Sequence, residues 1–257
     1  MWNKGLRFAG QRVVVSVAAA LCLIPAVYLL LGSVRTGGSL SLGQYEEILL
    51  YRKEFFAWFW NSVCYTAGIL ALCVPVAVLA GYGLSQYRFP GRGGLLFLYT
   101  LLMLLPFQAT VVAQYLTLRS LNLLDTRPAI ILPCAFGAFG AFLLTQFMRG
   151  LDPEILEAAR LDGAGWARIL VHIICPLCKP AIVSLVALQS ISCWSMVDQP
   201  VVFLRSEALL PLSQKLSGQT FGASAFAAGI LYAVAPMLIY LSCQKALEEG
   251  ISLTSIK

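Results

Sequence analysis

The stretch Leu151–Pro176, LDPEILEAARLDGAGWARILVHIICP, is rich in charged side chains, although a long apolar segment lies on either side of it. Charged side chains are costly inside a hydrocarbon layer. If the flanking segments cross a membrane, this stretch must therefore be a loop that lies in water. It fixes how the rest of the chain is organised, because everything around it is apolar.

A short helix is predicted to begin at Pro153 within this loop. Asp152 is a favourable N-cap, and Pro153 at the first helical position loses no hydrogen bond that the helix needs. Glu154 places negative charge in the first turn, where the helix dipole favours it. Gly163 and Gly165 are expected to end the helix, because glycine adopts the left-handed conformation without penalty.

The predicted helix has two faces. Glu157 and Arg160 are one turn apart and can pair, whereas Ile155, Ala158 and Ala159 form a small apolar face. These alanines are small enough for another backbone to come close. We therefore expect a short, two-faced helix held at a membrane surface.

The composition identifies the solvent of the remaining chain. Hydrophobic residues make up 59% of the 257 residues and charged residues 12%, with a mean hydropathy of +0.81. A soluble domain carries roughly 25% charged residues, so most of this chain must be solvated by a lipid bilayer. The net charge of +6 comes with no basic patch interleaved with aromatic residues, and we expect no nucleic acid partner.

Six stretches are long enough to cross the membrane, since a helix spanning about 30 Å of hydrocarbon needs about 20 mostly apolar residues. The first is expected to remain uncleaved, and the fourth is rich in Gly and Ala, which allow close helix packing in lipid. We predict an all-α integral membrane protein with about six transmembrane helices: Val13–Gly32, Asn61–Leu84, Gly94–Tyr115, Pro128–Met148, Pro180–Pro200 and Phe221–Cys243.

The distribution of positive charge predicts the orientation of these spans. If the N-terminus is cytoplasmic, eleven of the eighteen Lys and Arg residues lie on the inner side, as the positive-inside rule favours. Both termini, and the loop between spans 4 and 5, would then be cytoplasmic. The inner residues are Lys4, Arg7, Arg12, Arg88, Arg92, Arg149, Arg160, Arg168, Lys179, Lys245 and Lys257.

The loop also carries a spaced pattern. Glu157-Ala158-Ala159 is followed by Gly163, and then by Ile173 and Pro176. This spacing resembles the EAA loop of ABC importer permeases, with Cys175 at the position where that family usually has Leu. The resemblance implies a cytoplasmic coupling helix that contacts an ATPase, with the following coupling-loop residues: Glu154, Glu157, Ala158, Ala159, Asp162, Gly163 and Pro176.

The resemblance extends along most of the chain and is stronger from Trp60 onward. The other segments that resemble the family are Trp60-Asn61-Ser62, Arg88-Phe89-Pro90-Gly91-Arg92, Asp152-Pro153-Glu154 and the tail Gln244–Lys257. We accordingly expect two parts. Residues 1–59 would form an N-terminal span with an outer amphipathic connector, and residues 60–257 a permease core of five spans with the EAA-type loop at about 149–179.

The variant EAARLDGA is most similar to the carbohydrate branch of that family. Membership would imply half of a translocation pathway for a sugar or oligosaccharide, in the cell (inner) membrane of a bacterium or archaeon. The implied partners are a second, homologous permease, two ATP-binding subunits and an extracytoplasmic solute-binding protein. This chain has no phosphate-binding G-x-x-x-x-G-K-[ST] loop, so ATP and Mg would belong to the ATPase, and we expect no catalytic group, cofactor or metal here.

Polar side chains within spans tend to face a cavity. Trp194 is of interest among them because aromatic rings stack on sugar faces, although Trp194-Ser195-Met196-Val197-Asp198 departs from the Trp-Asn-acid-Phe segment frequent in the family. Helix–helix hydrogen bonding, or an interfacial anchor for Trp194, is the alternative interpretation. The candidate pathway residues are Gln108, Thr110, Gln114, Gln189, Ser190, Ser192, Trp194, Asp198 and Gln199.

Other functions remain open at this point. The importer could carry a polyamine, phosphonate or sugar phosphate instead of a sugar. His172, Cys175 and Cys178 could serve a membrane thiol-redox protein, although the sequence has no second Cys/His pair for a closed zinc site. A secondary transporter or channel would need no EAA-type loop and should show more charge inside the spans.

Overall fold

The computed structural model describes residues 2–36, 38–218 and 220–254, with side chains described between 12 and 245. The side chains of Lys4, Arg7 and Lys257, which were counted above, and those of the tail Gln244–Lys257 beyond Lys245 lie outside the described residues.

The described chain is built from helices joined by short turns, with one small hairpin. In the hairpin the strands are antiparallel, and Arg35 lies opposite Leu40. The elements in chain order are α1 (Trp2–Ser33), β1 (Arg35–Thr36), β2 (Ser39–Leu40), α2 (Gly43–Glu46), a π-helix (Glu47–Tyr51), α3 (Lys53–Gln86), α4 (Arg92–Leu104), α5 (Phe107–Ser120), α6 (Arg127–Ala135), α7 (Ala138–Arg149), α8 (Pro153–Leu161), α9 (Trp166–Ile169), a second π-helix (Leu170–Ile174), α10 (Cys175–Leu177), α11 (Lys179–Trp194), α12 (Asp198–Phe203), a 3₁₀ turn (Glu207–Leu209), α13 (Leu212–Ser217), a second 3₁₀ turn (Gly222–Ser224) and α14 (Ala225–Thr254).

Four helical stretches are long and apolar enough to cross a membrane, and two bent helix pairs raise the number to six if each pair is one span. The chain is therefore mostly helical with four to six candidate transmembrane helices, in agreement with the prediction at this level. The four stretches are Arg12–Ser33, Lys53–Gln86, Arg127–Arg149 and Gly222–Lys245.

The third predicted span, Gly94–Tyr115, is not one continuous helix. Helix α4 ends at Leu104, and α5 leaves at 101° to it from Phe107. Pro106 lacks an N–H and disfavours helical geometry in the residue before it. Leu105 accordingly has extended torsion angles, φ −73° and ψ 119°.

The fifth predicted span, Pro180–Pro200, is too long at its C-terminal end. Helix α11 ends at Trp194, and the backbone leaves helical geometry before α12 begins at Asp198. The Ser195 hydroxyl donates to the carbonyl oxygen of Ile191 at 2.7 Å. Such back-bonding by serine competes with the helical hydrogen bonds at this end.

The second span begins earlier than predicted. Helix α3 starts at Lys53, so residues 53–59 are its first two turns and not part of a connector. The predicted domain boundary between residues 59 and 60 lies inside this helix. The aromatic residues there stay helical because Phe55 and Trp58 are buried against Phe221, with ring centroids 6.2 and 6.0 Å apart.

The centre of the molecule is the close packing of α3 against α7 and α11. A Cβ atom on Gly140 of α7 would lie 3.0 Å from the Cβ of Ala77 and 3.3 Å from Leu185. A Cβ on Gly81 would lie 3.0 Å from the Cβ of Leu144. Gly140 confirms the predicted role of small residues in the fourth span, and Gly81 of the second span acts in the same way, because a glycine lets packed helices approach closely.

Helix α1 lies at the periphery. Its side chains from Arg12 to Leu31 are exposed, and it packs on α14, where the Tyr28 and Phe226 rings meet edge to face at 5.6 Å. So much exposed apolar surface requires lipid or another apolar surface around it.

Candidate functional site

The surface helix α8 begins as predicted. The Asp152 Oδ1 atom accepts a hydrogen bond from the Glu154 N–H at 3.0 Å, and Pro153 occupies the first position. Gly163 has a left-handed φ of +78°, as expected of a residue that ends a helix. The same expectation is wrong for Gly165, which has φ −69° and caps the start of α9.

The two faces of α8 differ from the prediction. Ala159 is buried together with Leu156, with 8% and 4% of their surfaces exposed, whereas Ile155 and Ala158 face outward. The apolar set Ile155–Ala158–Ala159 is therefore wrong as one face. Leu156 and Ala159, three residues apart, share the inward side instead.

The expected pairing of Glu157 with Arg160 is also wrong. Within the described side chains, the ion pairs are Glu47–Arg52 and Glu207–Lys215. Glu157 and Arg160 are both exposed, where an i, i+3 pair gains only a few tenths of a kcal/mol.

The inward face of α8 is embedded in a common core, which we call the inner core. This core joins α8 to the long helices α3, α7 and α11 and to the segment 169–178. Its buried members are Ala77, Val78, Tyr82, Leu144, Met148, Leu156, Ala159, Ile169, Leu170, Ile174, Cys178, Ala181 and Leu185.

The outward face presents the remaining coupling-loop residues. Glu154, Glu157, Asp162, Ala158, Gly163 and Pro176 are all exposed. Large apolar side chains accompany the carboxylates on the same surface, since Ile155 is 44%, Leu161 89% and Trp166 60% exposed. This surface, which we call the coupling surface, combines acidic and apolar groups.

A cavity lies among the broken spans, between α5, the junction of α6 with α7, and α11. Its volume is about 210 Å³. Four of the predicted pathway residues line it: Gln114, Gln189, Ser192 and Gln199. The chain thus brings amide and hydroxyl groups from three helices to one place.

A second space of about 550 Å³ adjoins this cavity, because Phe107, Gln114, Pro133 and Gly137 line both. It is mostly apolar, and Thr110 is one of its few polar residues. The Gln114 side chain donates to the Thr110 hydroxyl at 3.0 Å. The hydrogen bond orients Gln114 at the boundary of the two spaces.

Gln108 and Asp198 also meet, although 90 residues separate them in the sequence. The Gln108 Nε2 atom donates to Asp198 Oδ2 at 3.3 Å, and both side chains are exposed. The contact joins the start of α5 to the start of α12. Ser190, in contrast, is buried and donates to the Val186 carbonyl within its own helix.

Trp194 lies elsewhere. Its indole N–H donates to the Tyr232 carbonyl oxygen at 3.2 Å, and the Tyr232 hydroxyl donates to the Trp194 carbonyl oxygen at 3.2 Å. The Trp194 ring packs edge to face on Phe59, and only 3% of the residue is exposed. In this structure Trp194 joins α11 to α14 and α3 and does not line the cavity.

Sequence reasoning missed the role of the segment 203–217, which folds back onto α3. The Asn61 amide donates to the carbonyl oxygens of Ala208 and Leu210 at 2.7 and 3.2 Å, and the Leu212 N–H donates to the Ser62 hydroxyl at 2.9 Å. The Trp60-Asn61-Ser62 sequence was the available signal, since polar residues at the start of an apolar span need partners.

The cysteine side chains of the loop pack in or beside the inner core. Cys178 is fully buried in the inner core, and Cys175 is partly buried beside it, whereas His172 is exposed. No group of three or more His, Cys, Asp or Glu side chains that could hold a metal occurs within the described residues.

Comparison with known proteins identifies the family. Residues 73–253 match the family described as the binding-protein-dependent transport system inner membrane component. The chain is 28% identical over 256 residues to the arabinooligosaccharides transport system permease protein AraQ of Bacillus subtilis, covering 92% of this chain and 91% of that one. It is 30% identical over 200 residues to the sn-glycerol-3-phosphate transport system permease protein UgpE of Yersinia pestis, covering 74% and 70%.

The fold agrees with this assignment. One chain of the crystal structure of a bacterial ABC transporter involved in the import of the acidic polysaccharide alginate superposes with a TM-score of 0.86, at 24% identity over 95% of this chain and 98% of that one. Because the family match covers most of the sequence, the chain belongs to the binding-protein-dependent transport system inner membrane components, the permease subunits of ABC importers.

Proposed function

We propose that this chain forms half of the translocation pathway of an oligosaccharide importer, and that α8 transmits movement from separate ATP-binding subunits to the spans. The observation that carries the proposal is the embedding of α8. Its inward face shares one core with α3, α7 and α11, while its outward face presents the coupling surface.

The mechanical argument follows from this packing. A nine-residue helix is not stable by itself in water, so α8 keeps its shape through its contacts with the inner core. Leu156 and Ala159 hold it from one side, and Ile169, Leu170 and Ile174 continue the same core. A push on the coupling surface is therefore passed to α3, α7 and α11 together, because packed interiors are stiff.

The charge distribution supports the orientation. With both termini cytoplasmic, most Lys and Arg residues lie inside, and α8 lies where an ATPase can reach it. The chain would be a multi-pass protein of the cell (inner) membrane, in a bacterium or archaeon. Helix α1 would then lie beside the permease core, since its side chains from Arg12 to Leu31 are exposed.

The partners follow from the family. A second permease would complete the pathway, two ATP-binding subunits would hold ATP and Mg beneath the coupling surface, and an extracytoplasmic binding protein would deliver the solute. The coupling surface is acidic at Glu154, Glu157 and Asp162, so we expect cationic side chains in the cleft that receives it.

The lining of the cavity supports an uncharged, hydroxyl-rich solute. Amides and hydroxyls donate and accept hydrogen bonds with sugar hydroxyls, and Gln114, Gln189, Ser192 and Gln199 supply both kinds of group. A phosphorylated solute, as in the name of the UgpE relative, calls for cations. Neither cavity has a Lys or Arg among the described residues that line it.

The proposal is tested by purifying the tagged chain from its native membrane and identifying its partners by mass spectrometry. We expect a P-loop ATPase, a second permease and a binding protein whose ligand screen returns an oligosaccharide. Isolation of the chain alone under several mild detergents would contradict the importer assembly. Capture of a phosphorylated ligand by the binding protein would contradict only the proposal that the solute is an oligosaccharide.

Coupling itself is tested with Glu157→Lys and Gly163→Asp in the reconstituted importer. Both variants should insert normally and lose transport relative to ATP hydrolysis, because the first reverses charge on the coupling surface and the second strains the turn that ends α8. Gly165→Ala is the matched control, since Gly165 has an ordinary φ and open space around it. Normal uptake by both test variants would refute the role of α8.

A further inference from the structure

A basic groove opens beside α8, apart from the cavity among the spans. It has a volume of about 680 Å³ and lies between the turn from α3 to α4, the end of α7 and the side of α8. Four arginines line it, Arg88, Arg92, Arg149 and Arg160, against a single acid, Glu157.

The four arginines form no ion pair with the side chains that the structure describes. Arg92 is half-buried, and one of its terminal nitrogens donates to the Ser85 carbonyl at 2.9 Å. Its Nε donor is buried and has no acceptor among the described residues. The other three, Arg88, Arg149 and Arg160, are exposed. Guanidinium groups that line one groove match an anion with several oxygens, above all a phosphate.

Two helix ends meet at the groove, where Gln86 and Met148 line it. The Gln86 amide donates to the carbonyl oxygen of Met148 at 3.4 Å, which ties the end of α3 to the end of α7. Arg149 lies in the last turn of α7, where the helix dipole favours a cation. The groove is therefore built on helix ends that pack against each other.

The surroundings of the groove indicate where the anion comes from. Arg92 is the first residue of α4, and one turn further along this helix the exposed side chains become apolar, at Leu95, Phe97 and Leu98. These three are 38%, 64% and 48% exposed. A phospholipid could place its phosphate in the basic groove and its hydrocarbon chains along the exposed apolar side chains of α4.

We propose that this groove binds the headgroup phosphate of an anionic phospholipid, with the acyl chains lying along α4. The groove adjoins the coupling surface, because Glu157 and Arg160 of α8 also line it. By filling the groove, the lipid would join the α3–α4 turn to α8. The lipid composition of the membrane would then affect how firmly α8 is held.

The test uses the delipidated, purified complex of this chain in detergent, into which phosphatidylglycerol or phosphatidylcholine is titrated. Bound lipid is counted by native mass spectrometry. Each basic side chain near an anionic headgroup contributes about 1 kcal/mol, or about fivefold in affinity. The double variant Arg88→Gln/Arg149→Gln, which changes two exposed side chains, should therefore bind phosphatidylglycerol about 25-fold more weakly.

Arg119→Gln is the matched control, because Arg119 is also exposed in the last turn of a helix but does not line the groove. It should retain wild-type binding. Equal binding by the double variant and the wild type, or equal binding of phosphatidylcholine and phosphatidylglycerol, would overturn the proposal. So would displacement of the lipid by glycerol 1-phosphate at the same concentration, because the acyl chains would then contribute nothing.

Discussion

Truncation of Leu156 should uncouple the importer by loosening α8. Leu156 is only 4% exposed and packs in the inner core with residues of α3 and α7. Replacing a buried Leu by Ala removes about 2–5 kcal/mol through lost contacts and the cavity that remains. Since a helix as short as α8 depends on such contacts, the loss should appear as local opening of Pro153–Leu161.

The magnitude can be measured by hydrogen exchange. An opening that becomes easier by about 2–5 kcal/mol raises amide exchange in α8 roughly 30- to 5,000-fold. In proteoliposomes the Leu156→Ala variant should hydrolyse ATP at a basal rate but respond weakly to the solute-loaded binding protein. Transport per ATP should fall accordingly.

Leu161→Ala provides the control on the same helix. Leu161 is 89% exposed, and alanine is at least as good a helix former as leucine. Exchange in α8 should therefore stay at the wild-type rate. If Leu156→Ala left both exchange and coupling unchanged, or if Leu161→Ala accelerated exchange equally, the argument that the inner core stiffens α8 would be refuted.

Three further predictions concern single contacts. Gly163→Ala should lower the free energy of unfolding by about 1 kcal/mol, because alanine is strained at the φ of +78° found there. Gly165→Ala should not lower it. Equal shifts in the melting temperatures of the two variants would contradict this prediction. Trp194→Phe should lower the free energy of unfolding by about 1 kcal/mol, because the indole hydrogen bond is lost, and should leave the transport KM unchanged. A raised KM with unchanged stability would instead place Trp194 on the translocation pathway. Hydrogen bonds from the Ser206 hydroxyl and N–H, and from the N–H of the preceding residue, hold the pKa of Asp125 below its usual value. These hydrogen bonds should stabilise the fold above about pH 4, and that stabilisation should be lost as the pH falls through the folded-state pKa of Asp125. Amide exchange of the segment 203–217, corrected for the intrinsic exchange rate, should therefore rise on acidification. The same rise in the Asp125→Asn variant would contradict this cause.

Local chemistry made the start of α8 predictable. An N-cap carboxylate, a proline at the first helical position and a glycine at the end act within a few residues. Asp152, Pro153 and Gly163 accordingly behave as the sequence indicates. The direction of the faces was not predictable, because Leu156 or Ile155 could equally have pointed inward until the neighbouring helices were placed.

The breaks in the spans depend on the whole fold. Pro75 and Pro236 lie within α3 and α14, which continue through them, whereas Pro106 marks a bend of 101°. Freed backbone groups in a membrane can be satisfied by neighbouring helices or by a bend, so a proline alone does not predict which occurs.

The polar residues of the spans were partly predictable. The cost of polar groups in lipid singled out Gln114, Gln189 and Ser192, which line a common cavity. The same reasoning could not separate them from Trp194, because its partner Tyr232 lies 38 residues away. Only the packing of α11 on α14 shows that the indole N–H already has a hydrogen-bond acceptor within the chain.

The contact between α8 and an ATP-binding subunit is the central claim, and site-specific photo-crosslinking tests it most directly. A photoreactive phenylalanine analogue is placed at Ala158, which is exposed on the coupling surface, and at Ala113, which is exposed on α5. We predict a crosslink from Ala158 to a P-loop ATPase in the transport-competent complex, with a yield that changes when ATP is added, and no such product from Ala113. A functional complex in which Ala158 forms no crosslink to the ATPase, or in which both positions crosslink equally, would contradict the account.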